Sequence, residues 1–211
     1  MASGKVLTTL SALSRLPSPG PAPAFTPVDV TQAILTIGDE SKIGRIELSR
    51  RLGIGEGTIR TIIKHLAQAN IIEIAKGGCV LTKRGVKLYS SLRSKVSKVS
   101  IIDAKQLALD KVSAAVLVRH VGGLVKRGIE QRDAAIRAGA TGACTLVFQG
   151  RGFLMPMSES EEWSLNSDDL LFQDLKNSFN PGEGDVIVLS SAPDRATADH
   201  GAMAAALTLI A

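Results

Sequence analysis

The sequence predicts an α+β protein of two small domains, an N-terminal winged helix-turn-helix followed by a small two-layer α/β sandwich. Patterns typical of helix, helix, short turn, helix, hairpin and helix follow one another between residues 26 and 98. Strand-like apolar runs and helical patterns share residues 112–211. Residues 1–111 carry 17 Lys+Arg against 8 Asp+Glu, whereas residues 112–211 carry 8 against 12. This division of charge indicates that one domain meets a polyanion and the other has a different task.

We divide the chain into four segments: a flexible arm with a proline-rich linker over 1–25, the winged helix over 26–98, a connector over 99–111 and the α+β domain over 112–211. In the arm we expect a short helix from Lys5 to Arg15 and a stiff linker from Leu16 to Ala24. The first 25 residues contain no acidic side chain, which leaves a transit peptide open as the alternative.

The composition is globular and aliphatic. Hydrophobic residues make up 45% and aromatic residues 3%, so the core must consist of Ile, Leu, Val and Ala. Cys79 and Cys144 lie far apart and lack the spacing of a zinc or redox motif. No run reaches the roughly 18 apolar residues of a membrane span. We therefore expect a cytoplasmic protein with no cofactor, no metal and no membrane partner.

Local patterns predict the first two helices. Thr26 and Pro27 supply an N-cap and a first-turn proline, and apolar residues then recur at helical spacing up to Gly38, where we expect the helix to end. A second helix fits Gly44–Leu52, and Gly53 is a natural stop after it. We expect this helix to direct three apolar side chains inward, namely Ile46, Leu48 and Leu52.

The third helix and the hairpin carry the functional argument. The helix spans about Gly55–Gln68, with an apolar stripe formed by Ile59, Ile62, Ile63 and Leu66. Two short apolar runs around Lys76-Gly77-Gly78 predict the hairpin, and a further helix follows Leu81–Gly85. With the stripe facing the core, the polar face of the third helix is left outside, as a recognition helix requires.

That polar face has the chemistry of a DNA reader. Arg60 can take a guanine through two hydrogen bonds, Thr58 and Thr61 can touch phosphate or a thymine methyl, and Lys64 suits phosphate. Glu56 we assign to the helix N-terminus, with a cytosine amino group as the alternative partner. The predicted DNA-binding residues are Arg45, Gly57, Thr58, Arg60, Thr61, Lys64, Lys76, Lys83 and Arg84.

Charge supports a nucleic-acid partner for this domain. Residues 42–98 hold 13 Lys+Arg against 3 Asp+Glu, which supplies affinity for phosphate irrespective of base sequence. We expect double-stranded DNA. Structured RNA or a protein partner stays open, because winged helices serve all three.

The second domain shows no catalytic motif. It lacks the phosphate-loop and dinucleotide signatures, and His120 and His200 stand alone, so we predict that the protein is not an enzyme. A polar cluster suits an anionic or hydrogen-bonding effector, with a solvated helix face as the alternative. Its candidate residues are Arg119, Arg127, Gln131, Arg132 and Asp133. The last helix has a face of small residues suited to close packing, within the chain or on a second subunit: Ala198, Gly201, Ala202, Ala205 and Ala206.

Three stretches resemble an archaeal protein family of uncharacterised function: Gly53-Ile-Gly-Glu-Gly-Thr-Ile-Arg-Thr-Ile-Ile63, Leu81-Thr-Lys-Arg-Gly85 and Glu130-Gln-Arg-Asp-Ala-Ala-Ile-Arg-Ala-Gly-Ala-Thr-Gly142. The family joins a winged helix to a small α+β domain that is similar to the insertion domain of some tRNA-charging enzymes. The resemblance implies a fold and a cytoplasmic archaeal setting, and it brings no catalytic residue.

The sequence therefore predicts a homodimeric, DNA-binding transcriptional regulator whose second domain dimerises or senses a small-molecule effector. The alternative is an accessory factor in RNA or tRNA metabolism, which the resemblance to tRNA-charging enzymes favours at the level of fold. A small-molecule enzyme with a regulatory winged helix is the third hypothesis.

Overall fold

The structure, a computed structural model, describes residues 10, 12–13, 25–104, 107–156 and 162–210. It divides into two units, Met1–Arg93 and Ser94–Ala211. Most of the predicted arm lies outside the described residues, including most of the helix expected from Lys5 to Arg15 and the linker expected from Leu16 to Ala24. Leu10, Leu13 and Phe25, which are described, are buried.

The first unit begins with three helices: α1 (Pro27–Glu40), α2 (Arg45–Leu52) and α3 (Glu56–Gln68). Thr26 caps α1 as predicted, because its hydroxyl accepts from the Asp29 amide while the Asp29 carboxylate accepts from the Thr26 amide. Gly53 ends α2 in the left-handed conformation, with φ 65°.

The prediction that Gly38 ends the first helix is wrong. The helix continues to Glu40, and Ser41 takes the left-handed turn with φ 61°. Gly38 instead makes room for an aromatic ring, since a Cβ there would lie 2.3 Å from Tyr89 Cδ2. The Tyr89 hydroxyl donates to Asp39 at 2.8 Å, and the Arg93 guanidinium reaches the same carboxylate at 2.6 Å. Gly38 therefore allows α1 to pack closely against the later segment of the chain that carries Tyr89 and Arg93.

A hairpin of β1 (Ile72–Ala75) and β2 (Gly78–Leu81) follows, and α4 (Lys83–Arg93) completes the unit. The chain between α1 and α2 joins this hairpin, because Ile43 and Cys79 exchange backbone hydrogen bonds of 3.2 and 2.8 Å. No sequence pattern predicted that pairing. It fixes the start of α2 to the hairpin.

The expected orientation of α2 is only partly right. Leu48 is fully buried and Leu52 is half-buried, but Ile46 is 66% exposed. With eight residues, α2 makes little more than two turns, and only one of its positions is buried. The inward prediction for Ile46 is therefore wrong.

The second unit is built on one antiparallel sheet of six strands in the order β3-β4-β8-β5-β6-β7. The strands are β3 (Ser100–Ile101), β4 (Val112–Val118), β5 (Gly142–Phe148), β6 (Phe153–Pro156), β7 (Glu162–Leu165) and β8 (Val186–Ala192). The strand β3 lies inside the segment predicted as a connector. The central strands β4, β8 and β5 are almost wholly buried.

Helices cover both faces of this sheet, so the prediction of two layers is wrong. On one face, α6 (Leu170–Phe179) buries Leu171, Phe172 and Leu175 in one cluster with Leu146, Phe153 and Ile187. On the other face lie α5 (Ile129–Arg137) and α7 (Arg195–Leu207), which pack against β5 and β8 and against each other. The second unit is a three-layer α/β/α arrangement within an α+β chain.

The small-residue face of α7 packs within this chain. Ala198, Gly201, Ala202, Ala205 and Ala206 are all buried. A Cβ at Gly201 would lie 2.4 Å from Ser190 Oγ and 2.7 Å from the Ala140 Cβ, so the helix touches the sheet at this point. This face is therefore closed to a second subunit.

We expect Gly38→Ala to destabilise the first unit by about 1–3 kcal/mol, because the added methyl group must displace the Tyr89 ring. Gly57→Ala is the matched control, since nothing lies within 4 Å of its Cβ position in α3. There the better helix propensity of alanine should be neutral or stabilising, by up to about 1 kcal/mol. Urea-dependent hydrogen exchange of the α1 and α4 peptides measures both. Equal protection in the two variants would contradict the packing described for Gly38.

Candidate nucleic-acid interface

The two faces of α3 separate as predicted. Its buried residues are Ile59, Ile62, Ile63 and Leu66, and its exposed ones include Gly57, Arg60 and Lys64. Thr58 and Thr61 are half-buried. His65 packs edge-on against Phe25, with ring centroids 5.5 Å apart. The outward face is a basic and polar stripe running along the helix.

Within this stripe, Arg60 and Lys64 differ from Thr61 in whether their polar groups are already paired. Among the described residues, neither Arg60 nor Lys64 has an ion-pair partner. The Thr61 hydroxyl donates to the Gly57 carbonyl at 3.1 Å, so its hydrogen is already in use while its oxygen can still accept. The backbone at Gly57 is open, which permits close approach by another molecule.

Arg45 is tied to α3. Its Nη2 lies 3.3 Å from Glu56 Oε2, and its Nε is buried with no hydrogen-bond partner among the residues described. This pair links the first residue of α2 to the first residue of α3. Glu56 thus neutralises a cation predicted to bind DNA, a role not anticipated for it, while its position in the first turn of α3 agrees with the helix-end assignment.

The outer side of α2 holds a second neutralised group. Glu47 Oε1 lies 2.7 Å from Arg50 and 2.8 Å from Arg51, and Arg51 also reaches Glu40 at 2.5 Å. Hydrogen bonds from Arg50 and then Arg51 lower the pKa of Glu47 to about 2, so its carboxylate is ionised at neutral pH. Arg50 and Arg51 are therefore paired members of the 13 basic residues counted over 42–98.

A groove of about 630 Å³ lies between α3, the start of α2 and the hairpin. It brings Arg45 and Arg60 to one place and sets the exposed Ile46 and Ile74 beside them. Two predicted site residues from different helices therefore share one concave surface.

The tip of the hairpin carries a second patch of charge. Lys76 is exposed at the turn, and the Lys42 ammonium nitrogen lies 3.8 Å from the position of a Cβ on Gly77. Lys42 is thus a residue that sequence reasoning missed. No sequence signal pointed to Lys42, because it is the pairing of Ile43 with Cys79 that brings Lys42 to the turn.

Lys83 and Arg84 belong to the other end of the hairpin. They are exposed at the start of α4, immediately after Thr82, whose hydroxyl accepts from the Gly85 amide at 3.1 Å. The Thr82 amide in turn donates to the Ile71 carbonyl, next to β1. Four ladder pairs separate this end from the turn at Lys76, so these cations do not share one patch with it.

The proposed effector residues of the second unit do not form one site. Arg127 and Asp133 line a shallow cavity of about 410 Å³, and Arg132 lies 3.2 Å from Asp133. Gln131 is buried and donates to the Thr208 hydroxyl at 2.7 Å, and Arg119 instead faces the buried Asp185 at 3.5 Å. Arg119 and Gln131 therefore do not line the cavity that Arg127 and Asp133 share.

Among the described residues no group of three or more His, Cys, Asp and Glu side chains is arranged to hold a metal ion. In the same part of the chain, no helix is both long enough and apolar enough to span a membrane. Burial raises the pKa of the Cys79 and Cys144 thiols, which keeps both protonated at neutral pH.

Comparison with known proteins gives matches without an assigned function. Residues 109–209 match a family model described as a domain of unknown function, DUF4443, and residues 32–87 match the PH0730-like N-terminal domain. The hypothetical protein PH0730 from Pyrococcus horikoshii OT3 has a similar structure, with 25% identity and a TM-score of 0.66 over 88% of this chain and 92% of that one. No curated protein matches. These matches support the resemblance to an uncharacterised archaeal family.

We expect the Glu47 carboxyl group to titrate near pH 2 in the folded protein, because Arg50 and Arg51 hold it ionised. Since the folded pKa is lowered from 4.5, the stability that the group contributes is present above pH 4.5 and is lost as the pH falls towards 2. Carboxyl-carbon NMR titration measures this. Arg50→Ala should raise the pKa and Arg151→Ala should not. Titration of Glu47 near 4.5 in the unsubstituted protein would show that these exposed ion pairs do not persist in solution.

Proposed function

We propose that the first unit is a winged helix-turn-helix that binds double-stranded DNA, and that the protein is a transcriptional regulator. In this proposal α3 is the recognition helix, the hairpin is the wing, and the second unit dimerises or senses an effector. The observation that carries the proposal is the outward stripe of α3, which presents Arg60 and Lys64 without ion-pair partners among the described residues.

The order of elements supports this assignment. Three helices, a hairpin and a fourth helix follow one another, and the pairing of Ile43 with Cys79 adds a third extended segment to the hairpin. The wing must be held in place if its tip is to contact the DNA backbone beside the major groove that α3 enters. Lys42 and Lys76 are then suited to phosphate contacts.

Charge distribution supports the same face. The basic residues on α2 are neutralised by Glu40, Glu47 and Glu56, whereas those of α3 and the hairpin tip have no such partner in the described chain. The positive charge of α3 and the hairpin tip is therefore not cancelled by neighbouring carboxylates, and it attracts a polyanion to this face. Exposed Lys83 and Arg84 carry further positive charge at the other end of the hairpin.

The shape of the stripe favours DNA over RNA. A single helix fits the major groove of B-form DNA, which is about 12 Å wide, whereas the major groove of A-form RNA is too narrow for side chains to read. A factor that reads the sequence of single-stranded RNA stacks unpaired bases on aromatic side chains, and the α3 stripe contains none.

Selection from random duplex DNA at two salt concentrations tests the proposal. We expect an enriched motif with two half-sites and a binding constant that falls steeply with salt. Salt-sensitive binding without any motif would overturn the assignment of a sequence-specific regulator. Stronger binding to single-stranded RNA than to the selected duplex would favour the accessory factor in RNA metabolism.

Arg60→Ala and Lys64→Ala should have different effects. Loss of Arg60 should weaken binding by about 1–3 kcal/mol and relax the preference at one base pair, because a bidentate contact with guanine is lost. Loss of Lys64 should weaken binding to all sequences and reduce the salt dependence by about one phosphate contact.

Arg151→Ala is the control, since it removes the same charge from an exposed turn of the second unit. Fluorescence anisotropy on the selected duplex and on single-base variants measures all three proteins. If Arg60→Ala changes neither affinity nor preference, α3 is not the recognition helix.

A further inference from the structure

The exposed face of α5 has a self-complementary arrangement. Ile129, Arg132, Asp133 and Ile136 are spaced at i, i+3, i+4 and i+7, so they lie on one side of the helix. Gln131 and Ala135 are the buried residues of α5 and face the interior. The two isoleucines are 44% and 47% exposed, so this face presents apolar side chains to water.

The order apolar, basic, acidic, apolar is complementary to the same order on a second copy of the helix that runs in the opposite direction. Consider a two-fold axis that passes between Arg132 and Asp133 at right angles to the helix. It places Ile129 of one copy opposite Ile136 of the other, and Arg132 opposite the second copy's Asp133. Apolar groups then meet apolar groups and opposite charges meet, twice over, as an isologous interface requires.

From this complementarity we infer that α5 is a dimerisation face whose occupant is α5 of a second copy of this chain, in antiparallel orientation. Within one chain the Arg132 guanidinium lies 3.2 Å from the Asp133 carboxylate, and both side chains are about half exposed. Such a pair between exposed neighbours contributes little to stability. In the dimer each charge gains a partner between flanking isoleucines, where water is largely excluded.

The interface is small, so the dimer is weak. The nine residues of α5 extend over about 13 Å. An interface of this size lies at the low end of specific contacts, and we expect dissociation constants on the order of tens of micromolar. Two half-sites on one duplex would strengthen the association by holding both copies at high effective concentration.

The inferred contact supplies the two-fold symmetry of the proposed regulator, but it can be tested without DNA. Sedimentation equilibrium of the full chain should show reversible dimers. Arg132→Asp places two acidic residues opposite two acidic residues, and Asp133→Arg does the same with basic residues, so each variant alone should dimerise at least tenfold more weakly.

A one-to-one mixture of the Arg132→Asp and Asp133→Arg proteins should recover dimers, because each acidic residue then faces a basic one. A chain carrying both substitutions should recover the homodimer for the same reason. This rescue separates loss of pairing from loss of folding. Arg151→Asp, with the same change in net charge as Arg132→Asp, should leave dimerisation unchanged.

A wild-type chain that stays monomeric at several hundred micromolar would overturn the inference. Dimers that are indifferent to Arg132→Asp, or variants that do not recover on mixing, would also overturn it, because the contact would then lie elsewhere. Any of these results leaves the DNA-binding proposal intact, because the contacts of Arg60 and Lys64 with duplex DNA are measured in a separate experiment.

Discussion

Burial of one aliphatic stripe on α3 determines the arrangement of the first unit. Four of its side chains enter the core, and each contributes about 1.5–3 kcal/mol in apolar surface removed from water. An exposed ion pair of the kind found on α2 contributes much less than one such buried side chain. Because opposite faces of a helix are rigidly related, burying Ile59 and Ile63 turns Arg60 and Lys64 to the solvent. Apolar packing therefore decides where the unpaired cations lie.

Local periodicity was sufficient to predict the first unit's helices and hairpin, because each depends on neighbours within a few residues of the chain. The same reasoning failed wherever a partner was distant in sequence. Arg45 meets Glu56 across 11 positions, Gly38 accommodates a ring at Tyr89, and Ile43 pairs with Cys79. None of these three contacts produces a periodic pattern of residues in the sequence. The availability of Arg45 was misjudged for this reason, while the exposed stripe around Arg60 was predicted correctly.

In the second unit the misjudged feature was the number of layers, although the sequence contains a signal for it. Ala114–Val118 and Val186–Leu189 are apolar at every position, whereas a strand with one solvated face alternates. Such runs indicate burial on both faces. The amphipathic helix around Phe172 supplies the second cover. Arg119 and Gln131 do not share a surface with Arg132, because Arg119 follows β4 and Gln131 lies on the buried side of α5.

The contact of Gly201 with Ser190 and Ala140 has a consequence for how this unit can change through evolution. At Gly201 the backbone of α7 approaches the sheet so closely that an added methyl group would collide with Ser190 and Ala140. The opposite face is filled by long, rotatable Leu side chains and by Phe rings, which tolerate exchange of volume among neighbours. Sequence drift should accordingly be accommodated in the aromatic layer, with the alanine layer held nearly constant.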